Sequence, residues 1–214
     1  MRPSTKLSCG VFIALFCAMM LQAQETATTG ETEKKKNRFS IMLGAAAGNF
    51  ANSETKFNTI YSNRTISRIY MAGIGTNAFY FIGKYREFSA LGKSVVANIA
   101  VAGKADWKQK FYSAGLRLHA DDHPIYAEVL YVFTRAEESI TTKDPVVEEL
   151  TAKEITENKG IGFTVGIALK IAGPIGIFVE GEYSMMLKKG RNQYGRANPE
   201  LGGICASAGI QFVL

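Results

Sequence analysis

The sequence predicts an all-β chain: an eight-stranded antiparallel up-and-down transmembrane β-barrel. Three observations predict it: an export signal at the start, a period-two alternation of side chains through most of the rest, and a second strand face too poor in charge to meet water. The signal comes first in the chain. Arg2 and Lys6 form a short positive region, Gly10 to Leu21 is a 12-residue apolar run, and Leu21-Gln22-Ala23 supplies a small residue for cleavage. That run is too short to cross a bilayer as a helix and reads as a secretory signal peptide, residues 1–23. Residues 24–37, "QETATTGETEKKKN", are polar and charged and read as a disordered lead-in to a barrel at 38–214.

Removing the signal removes Cys9 and Cys17, leaves Cys205 alone, and excludes an internal disulfide or a cysteine-based metal site. Loss of Arg2 and Lys6 lowers the formal charge from +6 to +4. With no dense basic run beyond Lys34-Lys35-Lys36, nucleic acid is excluded as a partner of an exported chain.

The alternation is clearest in "GIGFTVGIALKIAGPIGIFVEGEY", residues 160–183. Its length suits a membrane helix, but five glycines, Pro174 and Lys170 argue against one. Ile161, Phe163, Val165, Ile167, Leu169 and Ile171 share one parity, opposite Gly162, Thr164, Gly166, Ala168, Lys170 and Ala172. This is strand periodicity. A turn at Ala172-Gly173-Pro174 pairs Ile171 with Ile175 and keeps the odd residues on one face.

The same pattern runs through "RFSIMLGAAAG", "FYSAGLRLH", "IYAEVLYVFT" and "ICASAGIQFVL". Eight strands are expected at about 38–48, 67–82, 94–103, 111–119, 125–135, 159–171, 175–186 and 202–214. Long connections at 49–66, 136–158 and 187–201 and tight ones at 120–124 and 172–174 suit the two rims of an outer-membrane barrel. Strands near ten residues match the crossing length. The second face is mostly Gly, Ala, Ser and Thr with scattered ionic residues, as a narrow lumen requires, while the bulky aliphatic face meets lipid.

Signal, eight alternating strands and an apolar strand-like end together resemble the small OmpA/OmpX-type outer-membrane barrels, and in particular the compact barrels of Bacteroidetes-type bacteria. Such barrels usually end in an aromatic residue; this chain ends Phe212-Val213-Leu214. The resemblance implies a monomer in the outer membrane, in contact with its lipid and lipopolysaccharide.

Arg117, Glu128, Lys170, Glu180 and Glu182 fall on the inward parity and predict a lumenal ionic cluster, since buried charges must pair. If Leu118 pairs with Ile125, Arg117 lies diagonal to Glu128. The bland reading is a plug that neutralises itself; the functional one is an ion path. His119 and His123 in "HADDHP" fall in a tight turn on the periplasmic side, where a lipid-modifying barrel enzyme would not place them. No catalytic, cofactor or metal residues are assigned.

The predicted outer loops differ in charge. Residues 136–158 hold seven acids, Glu148 and Glu149 among them, against Lys143 and Lys153; residues 187–201 hold Lys188, Lys189, Arg191 and Arg196 against Glu200. Residues 104–110 add Lys104, Lys108 and Lys110 against Asp106. These loops are ordinary hydrated surface, or they bind lipopolysaccharide phosphates, cations or an extracellular partner. Trp107, Tyr131, Phe133, Phe163 and Tyr183 are expected near the outer rim as an aromatic girdle. The function expected is non-enzymatic: a structural or surface role in the envelope. A narrow porin-like channel stands as the alternative, with a secreted lipocalin-like carrier or a lipid-modifying barrel enzyme behind it.

Overall fold

The computed structural model describes residues 39–53, 57, 61, 63–76, 78–96, 99–120, 123–142, 154–187 and 201–214. The signal peptide, the lead-in and Glu148, Glu149, Lys188, Lys189, Arg191 and Arg196 lie outside them. Among the described residues the strands are β1 (Ser40–Asn52), β2 (Asn63–Arg64), β3 (Ser67–Gly75), β4 (Phe79–Val96), β5 (Ile99–His119), β6 (Ile125–Thr142), β7 (Glu154–Ala172), β8 (Ile175–Met186) and β9 (Gly203–Val213).

β1 pairs antiparallel with β3, each strand from β3 onward pairs antiparallel with the next, and β9 pairs with β1 to close the ring. Short β2 continues the line of β3 beside β4. The break at Thr65-Ile66 is bridged by Thr65 N–H to Ser89 O at 2.8 Å, so the barrel has eight strands.

Following paired residues once around the wall leads from Ile41 through Ile74, Phe81, Leu116, Val129, Phe163, Tyr183 and Ile204 to Ala51, ten residues further along β1. For eight strands that stagger corresponds to a tilt of about 40° and an interior that side chains fill.

The apolar faces point outward. Ile41, Leu43, Ile74, Phe81, Leu116, Ile167, Leu169, Ile177, Val179, Ile210 and Phe212 are all exposed, Phe81 and Val179 to 61%. The alternating inward residues are buried: in β3, Ser67, Ile69, Met71, Gly73 and Gly75 are buried and the four residues between them are exposed. Closure leaves no open sheet edge in this band, the condition hydrocarbon imposes on strands.

Several boundaries depart from expectation. The segment 67–82 is two strands, joined at 76–78 by Thr76 N–H to Phe79 O at 2.8 Å. Outward residues are even in β3 (Tyr70, Ile74) and odd in β4 (Phe79, Phe81), which is why parity alone left the segment ambiguous. The expected strand 94–103 instead contains the connection from β4 to β5, and the intervals 83–93 and 104–110, which fell between expected strands, are strand. Lys104, Asp106, Lys108 and Lys110 therefore lie on β5 and not in a loop. β6 continues to Thr142 and β7 begins at Glu154, so the 136–158 connection narrows to 143–153.

The 160–183 stretch is the expected hairpin with a different corner. Ala172 pairs with Ile175 around Gly173-Pro174, and the register shifts between Lys170 and Ala172. A two-residue turn alone would invert the faces; the extra residue at Ile171 restores them. Gly173 has φ +53°, a left-handed turn conformation that glycine adopts without steric cost.

β4, β5, β6 and β7 run to 18, 21, 18 and 19 residues, beyond the ~9–11 needed to cross a bilayer. They project past the apolar band at the rim opposite the start of β1 and the end of β9. Where they leave it, Tyr70, Tyr85, Tyr112 and Phe133 form a row of neighbouring rings with centroids 6.4, 5.4 and 6.2 Å apart. Tyr131, Phe133 and Phe163 keep the outward parity expected of a girdle. Trp107 does not: it points inward and is 3% exposed.

Candidate functional site

The lumen divides into two layers, set by which strands contribute charge. Pairing places Arg117 on β5 directly opposite Glu128 on β6, with Leu118 opposite Ala127. The expected diagonal is corrected because the 120–124 connection sets the register two residues further along β6. Guanidinium and carboxylate meet at 2.7 Å (Nε to Oε1) and 2.6 Å (Nη2 to Oε1), and both side chains are sealed from solvent.

Continuing around the wall, Glu128 neighbours Thr164 and then Glu182, while one row nearer the short-turn rim Tyr126 neighbours Gly166 and then Glu180. β7 thus presents Gly162, Thr164 and Gly166 to the lumen, small residues that leave room between the two acidic strands. A Cβ at Gly166 would collide with the Tyr126 ring, which crosses that space to donate its hydroxyl to Glu180 Oε2 at 2.8 Å.

From the far wall Lys84 Nζ reaches Glu128 Oε2 at 2.5 Å and Glu180 Oε1 and Oε2 at 2.9 Å each. Ser207 donates to Glu180 Oε1 at 3.3 Å. Arg117 completes its environment with Gln211 Oε1 at 3.4 Å and the Met42 sulfur at 3.2 Å, and its guanidinium stacks 3.9 Å from the Tyr126 ring centroid. Arg86 pairs with Glu182 at 3.0 Å and lies 4.0 Å above the Phe111 ring. Three cations (Lys84, Arg86, Arg117) face three carboxylates (Glu128, Glu180, Glu182), so the described layer carries no net charge.

Of the five predicted lumenal residues, Arg117, Glu128, Glu180 and Glu182 come together. Lys170 does not: it keeps the inward parity but sits at the short-turn rim and is exposed. A charge that close to water needs no partner. Lys84 and Arg86 were missed because two basic residues within "GKYREF" read as a connection; alternation with Tyr80, Ile82 and Phe88 was the signal available. His119 is the last residue of β5, part-buried between the rings of Tyr80 and Tyr126 (5.7 and 5.6 Å). His123 is exposed in the turn.

The second layer fills the opposite mouth. Phe50, Phe88 and Phe111 pack at 4.7, 5.2 and 6.3 Å. Above them Trp107 meets Phe57 and Tyr61 from the β1–β2 connection at 5.0 and 5.5 Å. Gln109 binds the Leu201 carbonyl at 2.8 Å and Thr134 at 3.0 Å, tying the approach to β9 into the same plug. Trp107 was expected outside because Lys104, Lys108 and Lys110 made 104–110 look like a loop.

Tyr61 donates its hydroxyl to Glu138, and burial, reinforced by the Glu138 charge, pushes the phenol well above its ordinary value of 10.0. A raised folded-state value gives stability that is complete below the unfolded value and is lost as pH rises past it. Denaturation followed against pH should show stability falling above about pH 10 in the wild type and a flatter profile in Tyr61→Phe.

No protein-family model matches the chain, and no curated protein is similar to it in sequence. Its fold is similar to that of Ail, the attachment invasion locus protein of Yersinia pestis, solved with the heparin analogue sucrose octasulfate. The two are 12% identical with a TM-score of 0.51, over 82% of this chain and 97% of that one. Neisserial surface protein A (13% identical, TM-score 0.49, 81% and 96% covered) and the N-terminal barrel of Pseudomonas aeruginosa OprF (10%, 0.43, 84% and 100%) also match. Closed ring, outward apolar band and filled lumen define a small eight-stranded barrel of the outer-membrane kind.

Proposed function

We propose that the mature chain is a monomeric, non-catalytic integral protein of the outer membrane, with the long-connection rim facing outward and a structural or surface-interaction role. The observation that carries this reading is the lumen itself. Three cations and three carboxylates neutralise one another across it, and Phe57, Tyr61 and Trp107 pack over one end. Groups already paired in this way offer neither a hydrated path to ions nor a free acid or base to a substrate.

Short turns at 76–78, 120–124 and 173–174 share a rim with both ends of the barrel, as periplasmic turns do. The projecting β4–β7 and the connections 143–153 and 188–200 then face outside. Lys188, Lys189, Arg191 and Arg196 suit an anionic partner, a lipopolysaccharide phosphate or a sulfated sugar such as the sucrose octasulfate found with Ail. The Bacteroidetes-type assignment rests on the sequence pattern.

The test is reconstitution. Refolded protein should show heat-modifiable gel mobility and no discrete current steps in planar bilayers; stepwise conductance would replace this reading with the porin-like one. Deleting 143–153 leaves β6 and β7 whole and should weaken adhesion or envelope integrity without affecting assembly.

A further inference from the structure

The outer wall carries a depression that the lumen does not explain. Ala72, Gly83 and Ala114 lie side by side on β3, β4 and β5, one step below Tyr70, Tyr85 and Tyr112 and one above Ile74, Phe81 and Leu116. Three small residues between two bulky rows leave a groove of about 540 Å³, bounded at β6 by Tyr131, the cross-strand neighbour of Ala114. Its floor is open: a Cβ added at Gly83 would meet nothing nearer than the Ser113 carbonyl at 4.0 Å.

Directly above the tyrosines runs a paired row of Arg68, Glu87, Lys110, Arg135 and Glu157, all of outward parity. Arg135 pairs with Glu157 at 3.6 Å, and Glu87 accepts from Tyr85 at 2.7 Å. Arg68 and Lys110 form no ion pair among the described residues, although each is a cross-strand neighbour of Glu87. Two uncommitted cations thus stand at the water boundary over an apolar slot walled by tyrosines, which favour that boundary.

We propose that this groove binds one acyl chain of a phosphorylated glycolipid of the outer leaflet, with Arg68 and Lys110 holding its phosphate. The placement in that leaflet rests on the sidedness proposed above. Charge complementarity selects the headgroup, since basic clusters beside a membrane-facing surface recognise anionic lipids, and guanidinium suits phosphate. A bulky side chain in the slot would exclude the chain without touching the lumen.

The test is native mass spectrometry of the full mature chain in detergent, titrated with diphosphorylated lipid A, its dephosphorylated form, phosphatidylcholine and inorganic phosphate. Wild type should retain the diphosphorylated lipid about tenfold more strongly than phosphatidylcholine. Gly83→Leu with Ala114→Leu should lose about tenfold in retention of both lipid A forms. Arg68→Gln with Lys110→Gln should lose it for the phosphorylated form alone, and inorganic phosphate should not compete. Equal retention by wild type and both double variants, displacement by free phosphate, or a dimer occupying the groove would each overturn the proposal. Heat-modifiable mobility retained in every variant keeps the barrel reading standing even then.

Discussion

Arg117→Met should lower the stability of the folded barrel by about 3–5 kcal/mol, because it leaves buried carboxylates without their counter-ion. Arg117 is 0% and Glu128 1% exposed, and the guanidinium also lies 3.7 Å from Glu180 Oε2. After the substitution Lys84 alone would face both Glu128 and Glu180. Urea unfolding from lipid vesicles reads the effect as a midpoint lowered by roughly 2 M, at a slope typical of small proteins. Adding Glu128→Met should recover most of the loss, since a pair replaced together by apolar groups leaves no orphaned charge. A double variant as unstable as the single one would show that packing around Arg117, and not its charge, holds the lumen.

Val179→Arg should cost about 2–4 kcal/mol, the price of a cation near the middle of the lipid-facing band. Val179 is 61% exposed and pairs with Ile167, within a β7 apolar run from Ile161 to Ile171. On a water-facing surface the same change would be nearly neutral, usually within about 0.5 kcal/mol. The measurement therefore decides what the outward side chains touch: refolding yield and urea midpoint in vesicles should both fall. Ile66→Arg, 71% exposed and beyond the charged row at Arg68, serves as control and should refold as wild type does.

The site was partly legible. Arg117, Glu128, Glu180 and Glu182 each sit alone among small or apolar neighbours, so alternation assigned them inward and the need to pair buried charge grouped them. Lys84 and Arg86 escaped because charge close together in sequence resembles a hydrated connection, although parity separates them from Tyr85 and Glu87. Trp107 was misplaced by the same signal, since three lysines around it suggested a loop where β5 in fact continues toward the rim. A charged residue on a projecting strand and one in a loop differ only in backbone pairing, which composition does not record.

Alternation, with the low charge of the second face, determined the chain's class and the outward direction of its apolar faces, because a period of two assigns every residue of a strand to one side or the other; the count of eight held only because 67–82 is two strands where 94–103 is none of its own. Register, and therefore which charges touch, was decided only in the folded ring. A stagger of ten residues brings Lys84 from β4 across the lumen to Glu180 on β8, 96 positions away in sequence. Closure of the sheet, and not any local preference, sets that encounter, while the registers of β3 with β4 and of β4 with β5 align Ala72, Gly83 and Ala114 into a slot on the outer wall.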